Sequence, residues 1–190
     1  MPPSSVLRPV STSLASHAGW LPDGEWRAIQ ASIPIVCVDL LLLERSSEGV
    51  RIGLILRDTP HQGPRWCLIG GRLLLNEGLR AGADRQSRET LGPETELLLE
   101  KDARPIVVTE YFSTRREDAL FDPRQHAVAL VFAAGLSGVP VASGEAKAFR
   151  WFYHGRLSEV DIGFGQSKVI EDCMHKLALD KATPDPFHAA

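Results

Sequence analysis

The sequence predicts an α/β fold in which helices cover both faces of a mixed β-sheet. Short runs rich in β-branched and aromatic residues alternate with three helical segments, and one of these helices lies between strands. A chain of 190 residues is long enough for one domain with a full core. We therefore expect a single domain over 20–182, preceded by a Ser-, Pro- and Ala-rich flexible arm (1–19) and followed by a tail (183–190).

Each element has a local signal. Pro22 and Asp23 open a first helix, whose apolar residues recur at helical spacing until Pro34. A second helix is predicted after the Asn76–Glu77 pair, which would cap it, and Gly92 followed by Pro93 ends it. Apolar runs bounded by turn residues predict strands at 35–44, 50–57, 65–69, 106–112, about 128–132 and 148–153, and a last helix at about 166–179.

Composition argues against several classes of function. The net charge of −3 gives no positive field for nucleic acid or for an anionic membrane, so we expect neither partner. No apolar run reaches membrane-spanning length, and the N-terminus lacks the pattern of a signal peptide. Three cysteines without metal-ligand spacing indicate reduced core thiols, so we expect a cytoplasmic protein.

The most informative segment is 70–92, GGRLLLNEGLRAGADRQSRETLG. It reads as a glycine turn, a short loop and a helix that places Arg85 and Glu89 on one face, because they lie four residues apart. Carboxylates collected beside a glycine turn can hold a hard divalent cation, and the cation can in turn hold a diphosphate. The segment therefore predicts a metal-assisted phosphate site.

This segment resembles the box of the Nudix hydrolases, G-x5-E-x7-R-E-U-x-E-E-x-G-U, where U is aliphatic. Five fixed positions match in register: Gly71, Glu77, Arg85, Glu89 and Gly92. Four positions depart, because Gln86, Ser87, Thr90 and Pro93 stand where the family has Glu, an aliphatic residue, Glu and an aliphatic residue. The resemblance implies a Nudix-type α/β/α sandwich with a mixed β-sheet, and an activity that uses Mg²⁺ or Mn²⁺.

The resemblance also implies roles for single residues. Glu89, Glu77 and Glu145 would be the metal ligands, and Glu145 would complete the site or act as the base. Arg85 would orient Glu89 by hydrogen bonding. Gly70, Gly71 and Arg72 would bind substrate, since glycine lets the backbone approach a ligand closely. With two box carboxylates missing, the metal would enter chiefly with the diphosphate.

Over 21–153 the chain is similar to one branch of that family, the GDP-mannose mannosyl hydrolases. The shared features are PIVCVD, WCLIGGRLLLNE, an Arg before the box, a His opening a long strand and an R-W pair. In that branch the matching Asp and Arg contact substrate, which implicates Asp39 and Arg57. The likeness fails at the chemistry, because Glu145 and Ala146 replace the branch's Gln-His pair and Tyr111 lies near the position of its substrate-binding His.

Simpler roles compete with these assignments. Asp39 would also suit a buried acid bonded to a core Arg or to backbone amides, and Arg57 a surface ion pair with Asp58 or Glu44. Glu77 would suit a first-turn residue that interacts with the helix dipole. For His126 a core position is the preferred interpretation over that of a general base.

Two functions fit the sequence. The first is hydrolysis of a nucleoside diphosphate linked to another moiety, with a nucleotide-sugar as the expected substrate and water attacking either phosphorus or the sugar carbon. The second is a catalytically weak or inactive Nudix module that binds a nucleotide ligand or a protein partner, as Gln86 and Thr90 suggest. The N-terminal helix, with Trp20, Leu21 and Trp26, would form a homodimer interface or cover the chain's own core.

Overall fold

The computed structural model describes residues 21–177. The predicted arm at 1–19 and tail at 183–190 lie outside these residues, and the division into domains stays a prediction. The helices are α1 (Asp23–Gln30), α2 (Leu79–Leu91) and α3 (Gln166–Leu177), and a short 3-10 helix spans His154–Glu159. The strands are β1 (Ile35–Ser46), β2 (Gly49–Thr59), β3 (Gly63–Cys67), β4 (Ile69–Arg72), β5 (Glu96–Leu98), β6 (Val107–Phe112), β7 (Leu120–Phe121), β8 (Ala127–Ser137) and β9 (Ala148–Tyr153).

Strand β1 organises a mixed sheet. One edge of β1 pairs in parallel with β8, and the other edge pairs with two strands in succession. Residues 37–40 pair with β4, whereas residues 42–46 pair with β2, both antiparallel. The order β3-β2-β1-β8-β6-β7 follows, with β9 on β2 and β5 on β8. Because β2 and β4 share one edge of β1, the sheet divides there and leaves room for a cavity.

Helices pack on both faces of this sheet, as the alternation of side chains along β1 requires. Leu40 and Leu42 belong to the core cluster that includes Leu91 of α2, and Trp26 of α1 packs against the same cluster. Leu41 and Leu43 belong to a second cluster, which contains the apolar face of α3. This is the predicted α/β/α sandwich.

Two local predictions around the box were wrong. Gly70 and Gly71 do not form a turn; they lie in β4 and pair with β1. Helix α2 begins after Gly78 rather than after an Asn76–Glu77 cap, and its first turn contains no acidic residue. Asn76 adopts a left-handed conformation with φ 63°, which turns the chain before the helix. Among the described residues, no helix has the length and apolarity needed to cross a membrane.

Candidate active site

A cavity of about 420 Å³ opens where the sheet divides. Its floor is formed by paired strands: Cys37 lies opposite Ala129, and Ala127 lies opposite Tyr111. The two alanines on β8 leave space above the sheet that larger residues would fill. Burial raises the pKa of the Cys37 thiol on this floor to about 12, so the thiol stays protonated at neutral pH.

Asp39 is buried at one side of this floor, next to Gly70. The two residues pair across β1 and β4, and a Cβ at position 70 would overlap Asp39 Oδ1. Burial raises the pKa of Asp39 to about 7, a rise that nearby Arg57 opposes and Glu145 reinforces. Asp39 therefore lies in the cavity as an acid that changes protonation near neutral pH.

Gly71 has a similar packing role on the other side of β4. A Cβ at position 71 would lie 2.5 Å from Gln86 Nε2, so the glutamine amide occupies the space above the glycine. The close approaches at Gly70 and Gly71 thus accommodate the protein's own side chains. Gln86, one of the departures from the box, is a wall of the cavity.

Arg85 joins three parts of the box. Its Nε and Nη2 donate to the two carboxylate oxygens of Glu77 at 2.7 and 2.8 Å, and Nη2 also donates to the Arg72 carbonyl at 2.9 Å. Nη1 donates to Glu89 at 3.1 Å, as the predicted orienting role requires. Glu77 also accepts from the Leu74 amide at 2.9 Å, and hydrogen bonding from Arg85 lowers its pKa.

Glu77 and Glu89 therefore differ in availability. The Glu77 side chain is 11% exposed and both of its oxygens accept hydrogen bonds from the protein. The Glu89 side chain is 48% exposed and lines the cavity. Of the two box carboxylates, Glu89 is the one that lines the cavity.

The loop between β8 and β9 brings Glu145 to the same cavity. In this loop, the Val141 amide donates to the Leu91 carbonyl and the Ser143 amide donates to the Thr90 carbonyl, both at 2.8 Å. The Ser143 hydroxyl donates to the Glu89 carbonyl at 2.7 Å. These carbonyls belong to the last turn of α2, where carbonyl groups have no hydrogen-bond donor within the helix itself. The loop thus caps α2 and places Glu145 in the cavity wall that also holds Glu89.

Arg57 is buried and pairs with Glu145 through Nη1. The predicted alternative of an ion pair with Asp58 or Glu44 was wrong, since these carboxylates bind Lys147 and Arg51. The partner of Arg57 comes from a loop 88 residues away, so local sequence could not identify it.

The acidic groups suit a cation bound together with phosphates. No group of three or more His, Cys, Asp or Glu side chains in 21–177 is arranged to hold a metal ion. Glu89 and Glu145 do line one cavity, and Mg²⁺ in phosphate-processing sites uses one or two carboxylates, waters and the substrate's phosphates. These residues therefore fit Mg²⁺ or Mn²⁺ in the presence of a diphosphate ligand.

The sequence prediction missed several cavity residues. Asp122 precedes Pro123 in a turn sequence and Arg124 follows it, a pattern that predicts no site role, yet both line the cavity with Phe164, Gln166 and Trp26. Arg72, which was predicted to bind substrate, lines the cavity with its guanidinium 4.3 Å from the Trp26 ring centroid. His126 is neither core nor a cavity residue: it is half-exposed, 3.2 Å from Glu110, and stacks on Phe112.

Comparisons with known proteins agree with this fold. A protein of Jonesia denitrificans described as a possible asymmetric diadenosine tetraphosphate hydrolase has a TM-score of 0.69 and 22% identity, covering 80% of this chain and 99% of its own. The Nudix domain of Shewanella oneidensis NrtR, solved with ADP ribose, has a TM-score of 0.58 and 17% identity, covering 83% of this chain and 99% of its own. A MutT Nudix hydrolase of Burkholderia pseudomallei has a TM-score of 0.52 and 23% identity, covering 80% of this chain and 100% of its own.

Sequence comparison adds one curated relative and one family. The low-salt glycan biosynthesis protein Agl8 of Haloferax volcanii is 39% identical over 72 residues, which are 38% of this chain. The match spans less than half of that relative, 44% of its length. Residues 16–179 match a family model described as a domain of unknown function, DUF4916. The chain belongs to the DUF4916 family, and its fold is that of the Nudix hydrolases.

Proposed function

We propose that this protein hydrolyses a nucleoside diphosphate linked to another moiety, and that the substrate is a nucleotide-sugar. One observation carries the proposal: a single cavity joins the box carboxylate Glu89, the loop carboxylate Glu145 and the buried guanidinium of Arg57. The retained Arg85–Glu89 contact supports the same reading. Agl8, whose name refers to glycan biosynthesis, supports the choice of a sugar derivative.

The roles of the side chains follow from their positions. Mg²⁺ or Mn²⁺, when bound, would neutralise the diphosphate and stabilise the leaving group. Glu89 and Glu145 would hold this metal, with Arg85 orienting Glu89. Arg57 would bind a phosphate oxygen, and Asp39 would contact the substrate from the floor. Water would add at phosphorus or at the sugar carbon and pass its proton to Glu145 or to solvent. The bond from that atom to the bridging oxygen would break, and this oxygen would leave with the other product.

A screen of nucleotide-sugars, dinucleoside polyphosphates and nucleoside triphosphates tests the proposal. Each compound would be incubated with Mg²⁺, with Mn²⁺ and with EDTA, and released sugar and phosphatase-sensitive phosphate would be measured. We expect metal-dependent turnover of at least one nucleotide-sugar. Glu89→Gln should lower kcat by about a hundredfold, because a lost metal ligand costs a few kcal/mol of transition-state stabilisation.

The matched control is Glu171→Gln, which removes an exposed carboxylate of α3 outside the cavity and should leave turnover unchanged. A wild-type protein that hydrolyses none of the compounds would contradict the proposal. If ADP still raised its melting temperature, the alternative of a nucleotide-binding module would stand. Gln86 and Thr90 in the cavity wall favour that alternative, since neither is a carboxylate.

The proposal places the protein in the cytoplasm. Its three cysteines are buried and unpaired, which is the usual state in a reducing compartment.

A further inference from the structure

Two arginines of the cavity share one aromatic ring. The guanidinium carbons of Arg57 and Arg124 lie 5.5 and 5.4 Å from the ring centroid of Phe164. The two arginines come from different parts of the fold, one from β2 and the other from the turn before β8. Because planar guanidinium groups stack well on aromatic rings, Phe164 helps to fix the position of both cations.

Phe164 is itself held in an unusual conformation. Its φ is 56°, in the left-handed region that bulky residues rarely occupy, and Gly165 after it has φ 73°. The Gln62 side chain accepts a hydrogen bond from the Phe164 amide at 2.9 Å, and the rings of His61 and Tyr111 contact Phe164 edge-on. Such a conformation costs free energy and persists where the surroundings enforce it, often at ligand sites.

Each arginine is oriented by one carboxylate. Asp122, only 6% exposed, accepts from Nε and Nη2 of Arg124 at 2.9 and 2.8 Å and from its backbone amide at 3.0 Å. Asp122 accepts from Nε and Nη2, so Nη1 of Arg124 has no acceptor among residues 21–177. Glu145 accepts from Nη1 of Arg57, while Nε of Arg57 is buried without a hydrogen-bond partner among the described residues.

The unsatisfied donor on Arg57 points to a ligand. A buried N–H without an acceptor is costly, and an anionic oxygen that accepted from Nε itself would remove that cost. Two guanidinium groups that line one cavity suit a diphosphate, because its two phosphates offer several acceptor oxygens. We infer that Arg57 and Arg124, held on Phe164, form a subsite for the diphosphate of the ligand.

This inference deepens the proposed function and rests on it, since the ligand is the proposed diphosphate. It adds Arg124 and Phe164 to the site. It also requires that part of the diphosphate affinity be independent of metal, because the arginines need no cation to bind phosphate. Binding without metal is therefore the measurement that separates this subsite from the carboxylates Glu89 and Glu145.

The experiment is calorimetric titration of the full chain with inorganic pyrophosphate and with ADP in EDTA. We expect both to bind the wild-type protein, and Arg124→Gln to weaken both by about ten- to a hundredfold, the effect of losing a charged hydrogen bond. Arg124→Lys should lose most of the same affinity, because an ammonium group lacks the planar fork. The lysine variant keeps the charge, so it guards against a folding defect in the glutamine variant.

The matched control is Arg116→Gln. Arg116 is an exposed arginine that also stacks on an aromatic ring, with its guanidinium 3.7 Å from the Phe112 centroid, but it lies outside the cavity. The Arg116→Gln variant should bind pyrophosphate and ADP with the affinity of the wild type. Unchanged affinity in folded Arg124→Gln would overturn the subsite while leaving the proposed hydrolysis intact. Absence of pyrophosphate and ADP binding in the wild type, with and without Mg²⁺, would overturn both.

Discussion

The Asp39 carboxyl should make the stability of the protein depend on pH. Burial raises its pKa from 3.8 to about 7, so the folded state binds a proton more tightly than the unfolded chain. The contribution to stability is full below pH 3.8 and is lost as the pH rises through 7. At higher pH a charged Asp39 costs up to about 4 kcal/mol of folding free energy.

Asp39→Asn removes this dependence. We expect the variant to match the wild type near pH 4 and to be more stable than it at pH 8, as measured by urea denaturation across the pH range. Asp102→Asn, which changes an exposed aspartate, is the control and should follow the wild-type curve. Equal stabilities of Asp39→Asn and wild type at pH 8 would show that Arg57 keeps the carboxylate charged at no net cost.

For single residues, the spacing of the box predicted the contacts that lie within one helix. Arg85 and Glu89 are four residues apart on one helix, so their hydrogen bond follows from helical geometry. The partners of Gly70 and Arg57 could not be predicted, because they come from another strand and from a distant loop. Arg124 was missed because its local signal, an Asp-Pro turn, is the same for any surface turn.

At the scale of elements, the loop 141–145 is tied to the end of α2 by hydrogen bonds. Gly144 has φ 59°, and a Cβ there would lie 3.0 Å from the Glu89 carbonyl oxygen. Gly144→Ala should therefore destabilise the fold by about 1–2 kcal/mol, the cost of a left-handed alanine. It should also weaken the stabilisation by Mg²⁺ with ADP, because Glu145 moves relative to Glu89.

Thermal unfolding with and without Mg²⁺ and ADP measures both effects. Gly155→Ala is the matched control, since a Cβ at position 155 meets no atom within 4 Å and its φ is not positive. If Gly144→Ala behaved as Gly155→Ala does, the loop would not depend on this close approach.

Very short elements were missed, but among the others the accuracy of the bounds did not follow length. The strand at 148–153 and the start of α3 at Gln166 were predicted with the observed bounds, whereas β8 spans Ala127–Ser137 and was predicted only at about 128–132. β5 and β7 have three and two residues and were not predicted. Strands so short have no periodicity of their own and form because β8 and β6 offer an edge.

At the scale of the whole molecule, α1 completes the cavity. Trp26 packs against the core cluster, lines the cavity and lies under the Arg72 guanidinium. We expect Trp26→Ala to weaken ADP binding about three- to tenfold, as the loss of one cation–π contact predicts, without changing the molecular mass in solution. Calorimetry and light scattering of the full chain measure the two quantities.

The control for this prediction is Arg27→Ala, which changes an exposed neighbour on α1. A wild-type mass of twice 20.8 kDa that falls to 20.8 kDa in Trp26→Ala would instead assign α1 to a homodimer interface.

The mixture of charges in the cavity governs how a ligand arrives. The cavity is lined by three arginines and four carboxyl side chains: Arg57, Arg72, Arg124, Asp39, Glu89, Asp122 and Glu145. The chain as a whole carries a net charge of −3. Such a site projects little positive potential into solvent, so an anionic ligand gains no electrostatic steering and its association rate should be nearly independent of ionic strength. Phosphorylated compounds would then differ in affinity mainly through their dissociation rates, that is, through how long each stays bound.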